Sequence, residues 1–334
     1  LTFACHILID RQNQWSTSFM TLALTFPGQG SQVVGMGKEL AEAFPEAAAV
    51  FNEVDEALGE KLSAIMFEGP DDVLTLTANA QPALMAVSVA IVRVLEAKGF
   101  DLKSKVSFVA GHSLGEYAAH AAAGTFSLTD TARLLRIRGN AMQAAVPVGV
   151  GAMAAIIGLE DSAVTAICTN AASATSGVCQ IANDNGGGQL VISGSKVAVE
   201  AAAEAAKEAG AKRALLLPVS APFHCALMQP AAEAMAEALS KVTANAPVVP
   251  VVTNVDVAPE TDPAALTDLL VKQVTGQVRW RETVEWFGSN GVTTLAEVGS
   301  GKVLTGLARR INRDLAGVAI NTPADIEAFL EANA

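Results

Sequence analysis

The chain has 334 residues, 51% of them hydrophobic and 17% charged, with a formal net charge of −12. That length allows two domains or one large domain with an insert, and the apolar content is ample for a core. The acidic balance argues against a nucleic-acid or anionic-membrane partner and leaves small molecules and proteins.

Residues 1–19 make a poor signal peptide, because Asp10 and Arg11 interrupt the apolar stretch and no small-residue cleavage pattern follows. Met20 stands directly before a clean strand pattern, so residues 1–19 read as an added or upstream extension. No apolar run reaches the roughly 18 residues that cross a bilayer. Cys5, Cys168, Cys179 and Cys225 have neither zinc-site spacing nor the density of a secreted scaffold, and read as reduced thiols in a cytoplasm.

Residues 21–26 predict a short strand ending in Pro27-Gly28-Gln29-Gly30-Ser31-Gln32, a glycine-rich turn before a helix that begins near Gly37. Such a turn can offer backbone N–H groups to a phosphate or an oxyanion, although it lacks the ending of a P-loop. Helical patterns cover residues 39–58 and 81–98, the second nearly all apolar on one face (Leu84, Val87, Ile91, Val94, Leu95). Strands and helices in alternation favour a largely parallel sheet covered by helices.

The apolar run at 106–110 reads as a buried strand, breaks at Gly111 and passes through Ser113 into an Ala-rich helix. Gly111-His112-Ser113-Leu114-Gly115 matches the nucleophile elbow, in which small residues at 111 and 115 let backbones come close while the Ser113 hydroxyl is lifted clear of the sheet. The Leu114 N–H and the helix N-terminus then face developing negative charge. Taken alone, the motif also fits a serine that caps a helix.

Ser127 and Asp130 open the next helix as a capping-box pair. Arg138 shares a face with Leu134, Leu135, Ala141 and Met142, the stripe that should be buried, whereas Arg136 lies with Ala132, Arg133, Gly139 and Asn140. A guanidinium on an apolar face needs something anionic, an internal ion pair, or a stem that snorkels out. After the punctuation at 147–151 come a strand at 152–159, a helix at 160–172, a strand at 190–193, a helix at 196–208 and a strand at 214–219. That β-α-β-α-β order predicts an inserted α+β subdomain of ferredoxin-like type at residues 149–220, with residues 20–148 and 221–334 forming the large unit. The large unit resumes with residues 219–228, which lead from a strand into a helix carrying Glu233 and Glu237, then a strand at 248–252 followed by Asn254, and a helix at 266–274. A helix to Phe287, a strand at 294–298, a tight turn at 299–302, a helix at 303–311 and a last short strand and helix complete the order.

A serine hydroxyl needs a general base within hydrogen-bond reach, and the chain has 4 histidines. His6 is in the extension, His112 is adjacent to the serine on an elbow that aims neighbours differently, and His120 lies about two turns down the helix. Elimination leaves His224, on a Pro-containing turn at a strand end, where functional groups collect. Cys225 beside it is a weaker nucleophile candidate, since adjacent side chains rarely face each other.

With these residues in place, the chain resembles the malonyl-CoA:acyl carrier protein transacylases of bacterial type II fatty acid synthesis. The resemblance runs over about residues 20–325 and rests on six motifs in order. They are Phe26-Pro27-Gly28-Gln29-Gly30-Ser31-Gln32, Gly111-His112-Ser113-Leu114-Gly115-Glu116-Tyr117, Arg138-Gly139 with Met142-Gln143, Gly151-Ala152-Met153-Ala154-Ala155, Pro222-Phe223-His224-Cys225-Ala226-Leu227-Met228, and Glu297-Val298-Gly299 with Gly301-Lys302. It implies an α/β-hydrolase-like core with a largely parallel sheet and a ferredoxin-like insert. It also implies ping-pong malonyl transfer from malonyl-CoA to the phosphopantetheine thiol of acyl carrier protein, with Ser113 as nucleophile and His224 as base. Gln29 and Leu114 correspond to the oxyanion-hole N–H donors, Arg138 to the clamp on the malonyl carboxylate, and Gln273 to the residue whose main-chain carbonyl orients the histidine. Met142 and Phe223 would line the pocket. No metal or redox cofactor is implied, and a cytoplasmic monomer is expected.

The sequence departs from the family at Phe223, where bacterial members often carry serine, and at Ser300, where proline is commoner. A bulky Phe223 should favour malonyl over methylmalonyl. An acetyl group would leave the Arg138 guanidinium unpaired, a loss of about 3 kcal/mol or about a hundredfold. A serine hydrolase or thioesterase on the same core, an acyltransferase with another acyl-CoA preference, and a non-catalytic binding module are the alternatives. Arg309, Arg310 and Arg313 offer either a docking patch for an acidic carrier or a solvated helix face.

Overall fold

The computed structural model describes residues 21–219 and 221–334; the extension at 1–19, with Cys5 and His6, lies outside the described residues. The chain opens with β1 (Leu22–Phe26), α1 (Lys38–Ala43), α2 (Pro45–Leu58), α3 (Leu62–Glu68), α4 (Asp71–Thr75), α5 (Thr77–Ala97), α6 (Leu102–Lys105), β2 (Val106–Gly111), α7 (Leu114–Ala122) and α8 (Leu128–Ala145). It continues with β3 (Gly151–Ile157), α9 (Asp161–Thr175), β4 (Cys179–Asp184), β5 (Gln189–Ser195), α10 (Lys196–Glu208) and β6 (Arg213–Leu216). A 3-10 turn at Ala226–Met228 leads into α11 (Gln229–Leu239), β7 (Val251–Val252), β8 (Pro259–Glu260), α12 (Pro263–Thr275) and α13 (Trp280–Ser289). The last elements are β9 (Thr294–Val298), α14 (Val303–Ile311), β10 (Ala316–Ile320) and α15 (Pro323–Ala332).

The larger sheet has the order β10-β9-β1-β2-β7-β8. Its pairs are parallel apart from the short β7–β8 pair. Parallel neighbours need crossovers, and the intervening helices supply them, so the sheet is buried between helical layers. The strand order runs outward in both directions from β1, with β2 on one side and β9 on the other. The carboxyl ends of β1 and β2 therefore flank the crevice where open α/β sheets bind their ligands, and they carry the glycine-rich turn and the elbow. This is an α/β-hydrolase-like core with a largely parallel sheet.

The smaller sheet, β4-β5-β3-β6, is antiparallel throughout. With α9 and α10 against it, it encloses its own core of Ile156, Val164, Ile192 and Val199 among others. Its chain order is β-α-β-β-α-β, the ferredoxin-like arrangement, one strand more than the sequence pattern predicts. The extra strand is β4 at the sheet's edge, where Cys-Gln-Ile-Ala-Asn-Asp shows neither strict alternation nor an apolar run. Val278, just before α13, ties this sheet to the larger unit: its N–H donates to the Ala182 carbonyl at 2.8 Å and its carbonyl accepts from Asp184 N–H at 3.0 Å. Arg281 and Asp184 add an ion pair at 2.7 Å.

Other boundaries differ from expectation for physical reasons. The helix expected over 39–58 divides at Phe44, because Pro45 disfavours a helical residue before it and itself opens α2. The strand expected over 248–252 keeps only two residues, since Pro247 and Pro250 cannot donate to the ladder. Helix α5 begins at Thr77 and, contrary to the sequence reading, is long and apolar enough to cross a membrane; 89% of its most apolar window is buried inside the protein, as the core helix under α2 and α8. Cys168, Cys179 and Cys225 are free and buried.

Two motif residues turn out to hold elements together. A Cβ on Gly139 would lie 2.6 Å from the Ala78 Cα, so only glycine lets α8 approach the start of α5, which brings Arg138 beside Gln81. Glu297 is buried beneath α14 and accepts from Leu304 N–H at 3.0 Å and from Thr305 N–H and hydroxyl at 2.7 and 2.8 Å. A carboxylate there caps the helix and complements its dipole.

Candidate active site

Strand β2 ends at Gly111 and α7 begins at Leu114, so the chain reverses within two residues. Ser113 accomplishes this at φ 54°, ψ −110°, a conformation that costs a non-glycine residue about 1–3 kcal/mol. Crowding makes the surrounding glycines obligatory. A Cβ on Gly111 would lie 1.9 Å from the Gly115 carbonyl carbon, and one on Gly115 would lie 2.2 Å from the Phe26 oxygen. Gly28 is packed as tightly, 2.7 Å from the His112 carbonyl by the same measure, so the turn that carries Gln29 lies directly on the elbow. The Ser113 backbone is pinned by side chains: its N–H donates to Asn254 Oδ1 at 2.8 Å and its carbonyl accepts from Gln273 Nε2 at 2.9 Å. Asn254 in turn donates to the Gly111 carbonyl at 2.7 Å.

His224 also holds a left-handed backbone, φ 58°, and is buried. Its Nδ1 faces two carbonyl oxygens, Gln273 at 3.0 Å and Gly276 at 3.1 Å. Two acceptors place the proton on Nδ1 and leave the Nε2 lone pair for the Ser113 hydroxyl, 2.7 Å away. Burial, with the Arg138 guanidinium adding to it, lowers the imidazole to about 3, so at neutral pH it is uncharged and free to accept a proton. His112 turns the other way, its Nε2 2.9 Å from Asn185 Oδ1 in the turn after β4. His120 is buried against Phe126, and neither nitrogen has a hydrogen-bond partner among the described residues. Cys225 donates its thiol to the Pro222 carbonyl at 3.1 Å, and burial pushes that thiol up.

Arg138 is 1% exposed and makes no ion pair among the described residues, so it does not snorkel and finds none of their carboxylates within 4 Å. Instead Nη1 donates to Gln81 Oε1 and Nη2 to Gln273 Oε1, both at 2.8 Å, and Nη2 also reaches Ser113 Oγ at 3.2 Å. Nε has no partner among the described residues, and Tyr117 lies under the guanidinium with its ring centre 5.5 Å away. A chain of bonds leads onward. Gln81 Nε2 donates to Thr77 Oγ1 at 2.9 Å, whose hydroxyl donates to Gln29 Oε1 at 2.9 Å. Met142 is buried beside Gln81, its Sδ 3.9 Å from Nε2. Phe223 is half-buried where the large core meets the small cluster of Met153, Ala182 and Val191.

The sequence-picked residues Gln29, Ser113, Leu114, Arg138, Met142, His224 and Gln273 thus gather at one place. Four residues given no role by the motifs join them: Gln81, Glu116, Asn254 and Gly276. Asn254 was approachable, since it follows a strand at the same sheet edge as Ser113. Nothing local in the sequence marks Gln81 or Gly276. Together the groups can ionise the serine hydroxyl beside a cation that has no carboxylate in direct contact among the described residues. With the imidazole held near 3, labelling of Ser113 by a fluorophosphonate should continue undiminished down to about pH 5; an inflection near about 6.5, the ordinary imidazole value, would overturn this reading of His224.

Comparison with known proteins agrees with this geometry. The acyl transferase domain family matches residues 24–317. The malonyl CoA-acyl carrier protein transacylase of Escherichia coli is 49% identical over 309 residues, which is 92% of this chain and 98% of that protein. Among solved structures, the acyl-carrier-protein-S-malonyltransferase from Bartonella henselae superposes with a TM-score of 0.92 at 66% identity, covering 94% of this chain and 99% of that one. A malonyl-transacylase in complex with its type II PKS acyl-carrier protein superposes with a TM-score of 0.90 at 46% identity, covering 94% of this chain and 100% of that one. A serine, an imidazole and a buried guanidinium meeting at one oxygen, on a chain this similar throughout its length, place it in the acyl transferase family, among the malonyl CoA-acyl carrier protein transacylases.

Proposed function

We propose that the chain moves a malonyl group from malonyl-CoA to the phosphopantetheine thiol of acyl carrier protein by ping-pong chemistry on Ser113. The observation that carries this is the Ser113 hydroxyl itself. It sits 2.7 Å from a neutral imidazole nitrogen and 3.2 Å from a guanidinium that no carboxylate among the described residues touches directly. A nucleophile, its base and a receptor for a carboxylate converge on one atom.

Ser113 Oγ attacks the malonyl thioester carbon while His224 Nε2 takes its proton. The imidazolium that forms is stabilised by the Gln273 and Gly276 carbonyls already in contact with Nδ1–H. The tetrahedral oxyanion falls between the Gln29 and Leu114 N–H groups, the second at the first position of α7, where the helix dipole adds to it. Collapse breaks the C–S bond, and Nε2 returns the proton to the leaving thiolate. The carrier thiol then gives its proton to Nε2, attacks the serine ester, and Oγ leaves and recovers the proton. Throughout, the malonyl carboxylate lies in a two-point pairing with Arg138, Met142 lines the acyl pocket beside Gln81, and Phe223 narrows it next to the α-carbon.

The carrier approaches over α14. Lys302, Arg309, Arg310 and Arg313 are exposed, and none makes an ion pair among the described residues. The carboxylates of neighbouring α13 are already taken, Glu282 by Arg279 and Glu285 by Arg281. The same helix packs through Arg310 and Ile311 against the glycine turn at 186–188, which follows the Asn185 bonded to His112. The basic face is therefore continuous with the nucleophile's surroundings.

Mass spectrometry after mixing with malonyl-CoA should find one malonyl group on the wild-type protein and none on Ser113→Ala; stoichiometric labelling of that variant would refute the mechanism. Arg138→Ala should reduce malonyl transfer about a hundredfold more than acetyl transfer, and equal losses would remove the clamp. Arg309→Glu with Arg310→Glu should raise KM for carrier protein about tenfold and leave transfer to free pantetheine unchanged; an unchanged KM for carrier makes the face a solvated surface.

A further inference from the structure

Glu116 takes no part in the bond-making above, yet it is fully buried on the first turn of α7. Its contacts are one-sided. Oε2 accepts from Asn254 N–H at 3.0 Å and Gln273 Nε2 at 2.9 Å, while Oε1 has no partner among the described residues. Gln273 connects two charges, because the amide that donates to Glu116 presents its oxygen to Arg138. The buried guanidinium thus has a carboxyl within one side-chain amide of it, and no carboxylate in direct contact.

The other ionisable groups near Glu116 are few. Asp256, in the loop after β7, repels its charge, and Arg138 on α8 attracts it. Tyr117 on the same helix is held protonated, its phenol raised to about 12 chiefly by burial, and His120 one turn on is kept neutral by burial. His224 offers its Nδ1 to the Gln273 carbonyl. Strand β1 carries no ionisable residue, Arg93 and Glu96 of α5 pair with each other, and Asp268 and Lys272 of α12 are exposed.

We propose that Glu116 is the counter-charge of Arg138 while the acyl pocket is empty, and that it takes up a proton on Oε1 when the malonyl carboxylate reaches the guanidinium. This rests on the reading of Arg138 as the carboxylate clamp. Two carboxylates facing one cation in a desolvated site leave an uncompensated negative charge, and like charges raise each other's proton affinity. One proton from solvent, bound to Oε1, restores neutrality. Oε2 remains an acceptor in the protonated group, so the bonds to Asn254 and Gln273, and with them the nucleophile and the base, stay in place. Burial already raises the Glu116 carboxyl to about 7, so this protonation needs little additional free energy near neutrality. An acetyl group brings no carboxylate and calls for no proton.

The test is calorimetric titration of Ser113→Ala, which cannot react, with malonyl-CoA and with acetyl-CoA at about pH 8 in two buffers of different ionisation enthalpy. Malonyl-CoA should take up close to one proton more than acetyl-CoA, and adding Glu116→Gln should abolish that difference while malonyl-CoA still binds. Equal uptake for the two thioesters, or uptake that survives Glu116→Gln, overturns the proposal. Loss of preferential malonyl binding in Ser113→Ala itself would remove the clamp and this proposal with it, whereas binding without the extra proton removes this proposal alone. Infrared difference spectra of the wild-type acyl-enzyme need no variant. A protonated-carboxyl band should appear with carbon-13-labelled malonyl, unshifted by the label, and not with acetyl; its absence refutes the proposal.

Discussion

The site depends on a backbone crowded at a single point. With Gly111 pressed on Gly115 and Gly115 on Phe26, the chain can leave β2 for α7 only through a left-handed Ser113. A residue in that conformation belongs to neither the sheet ladder nor the helix, and buried backbone groups must still be satisfied. Asn254 takes the Ser113 N–H and Gln273 takes its carbonyl. Because Gln273 lies on α12 and its own main-chain carbonyl holds the imidazole, fixing the elbow also fixes the base. The cost of assembling nucleophile and base is met by folding and not at the moment of reaction.

A second consequence follows from the side-chain chain that runs Arg138, Gln81, Thr77, Gln29. Arg138 and the glycine turn belong to different elements, α8 and the segment after β1, and the start of α5 links them through hydrogen bonds of 2.8 to 2.9 Å. Gly139 is what allows it, by letting α8 come against Ala78. The small sheet reaches the elbow through Asn185 and His112. Four separate parts of the chain are therefore linked around Ser113, and bonds connect Arg138, which touches its hydroxyl, to the glycine turn that carries Gln29.

Much of this was legible in the sequence, for reasons that differ by residue. The elbow is a local motif with a local cause, and the base could be found by elimination because there are so few histidines. Arg138 is legible as a cation on an apolar stripe, and it is buried with no ion pair among the described residues. What escaped was non-local. Strand β4 owes its existence to pairing with β5, not to its own pattern. Gly276 matters only because a helix end brings its carbonyl to His224, and Glu116 only because two amides from later in the chain converge on it. The break at Phe44 is set by Pro45 and the shortened β7 by Pro247 and Pro250, because proline restricts the residue before it and offers no backbone donor, features that apolar patterning does not carry.

The choice of carbonyls to hold the imidazole has an electrostatic logic. In a Ser-His-Asp triad a carboxylate orients the histidine and stabilises the imidazolium. A substrate with a carboxylate of its own changes that balance. A permanent anion beside His224 would compete with the substrate for Arg138 and would raise the imidazole toward protonation, where it could no longer act as base. Two backbone carbonyls fix the same tautomer with partial charge only, and burial then keeps His224 neutral. The carboxyl that remains, Glu116, is set behind Gln273 and bonded through one oxygen, so it can surrender its charge without disturbing what it positions. A fixed aspartate in the triad position could not do so, which is why a site built to receive an anion leaves that position to the main chain.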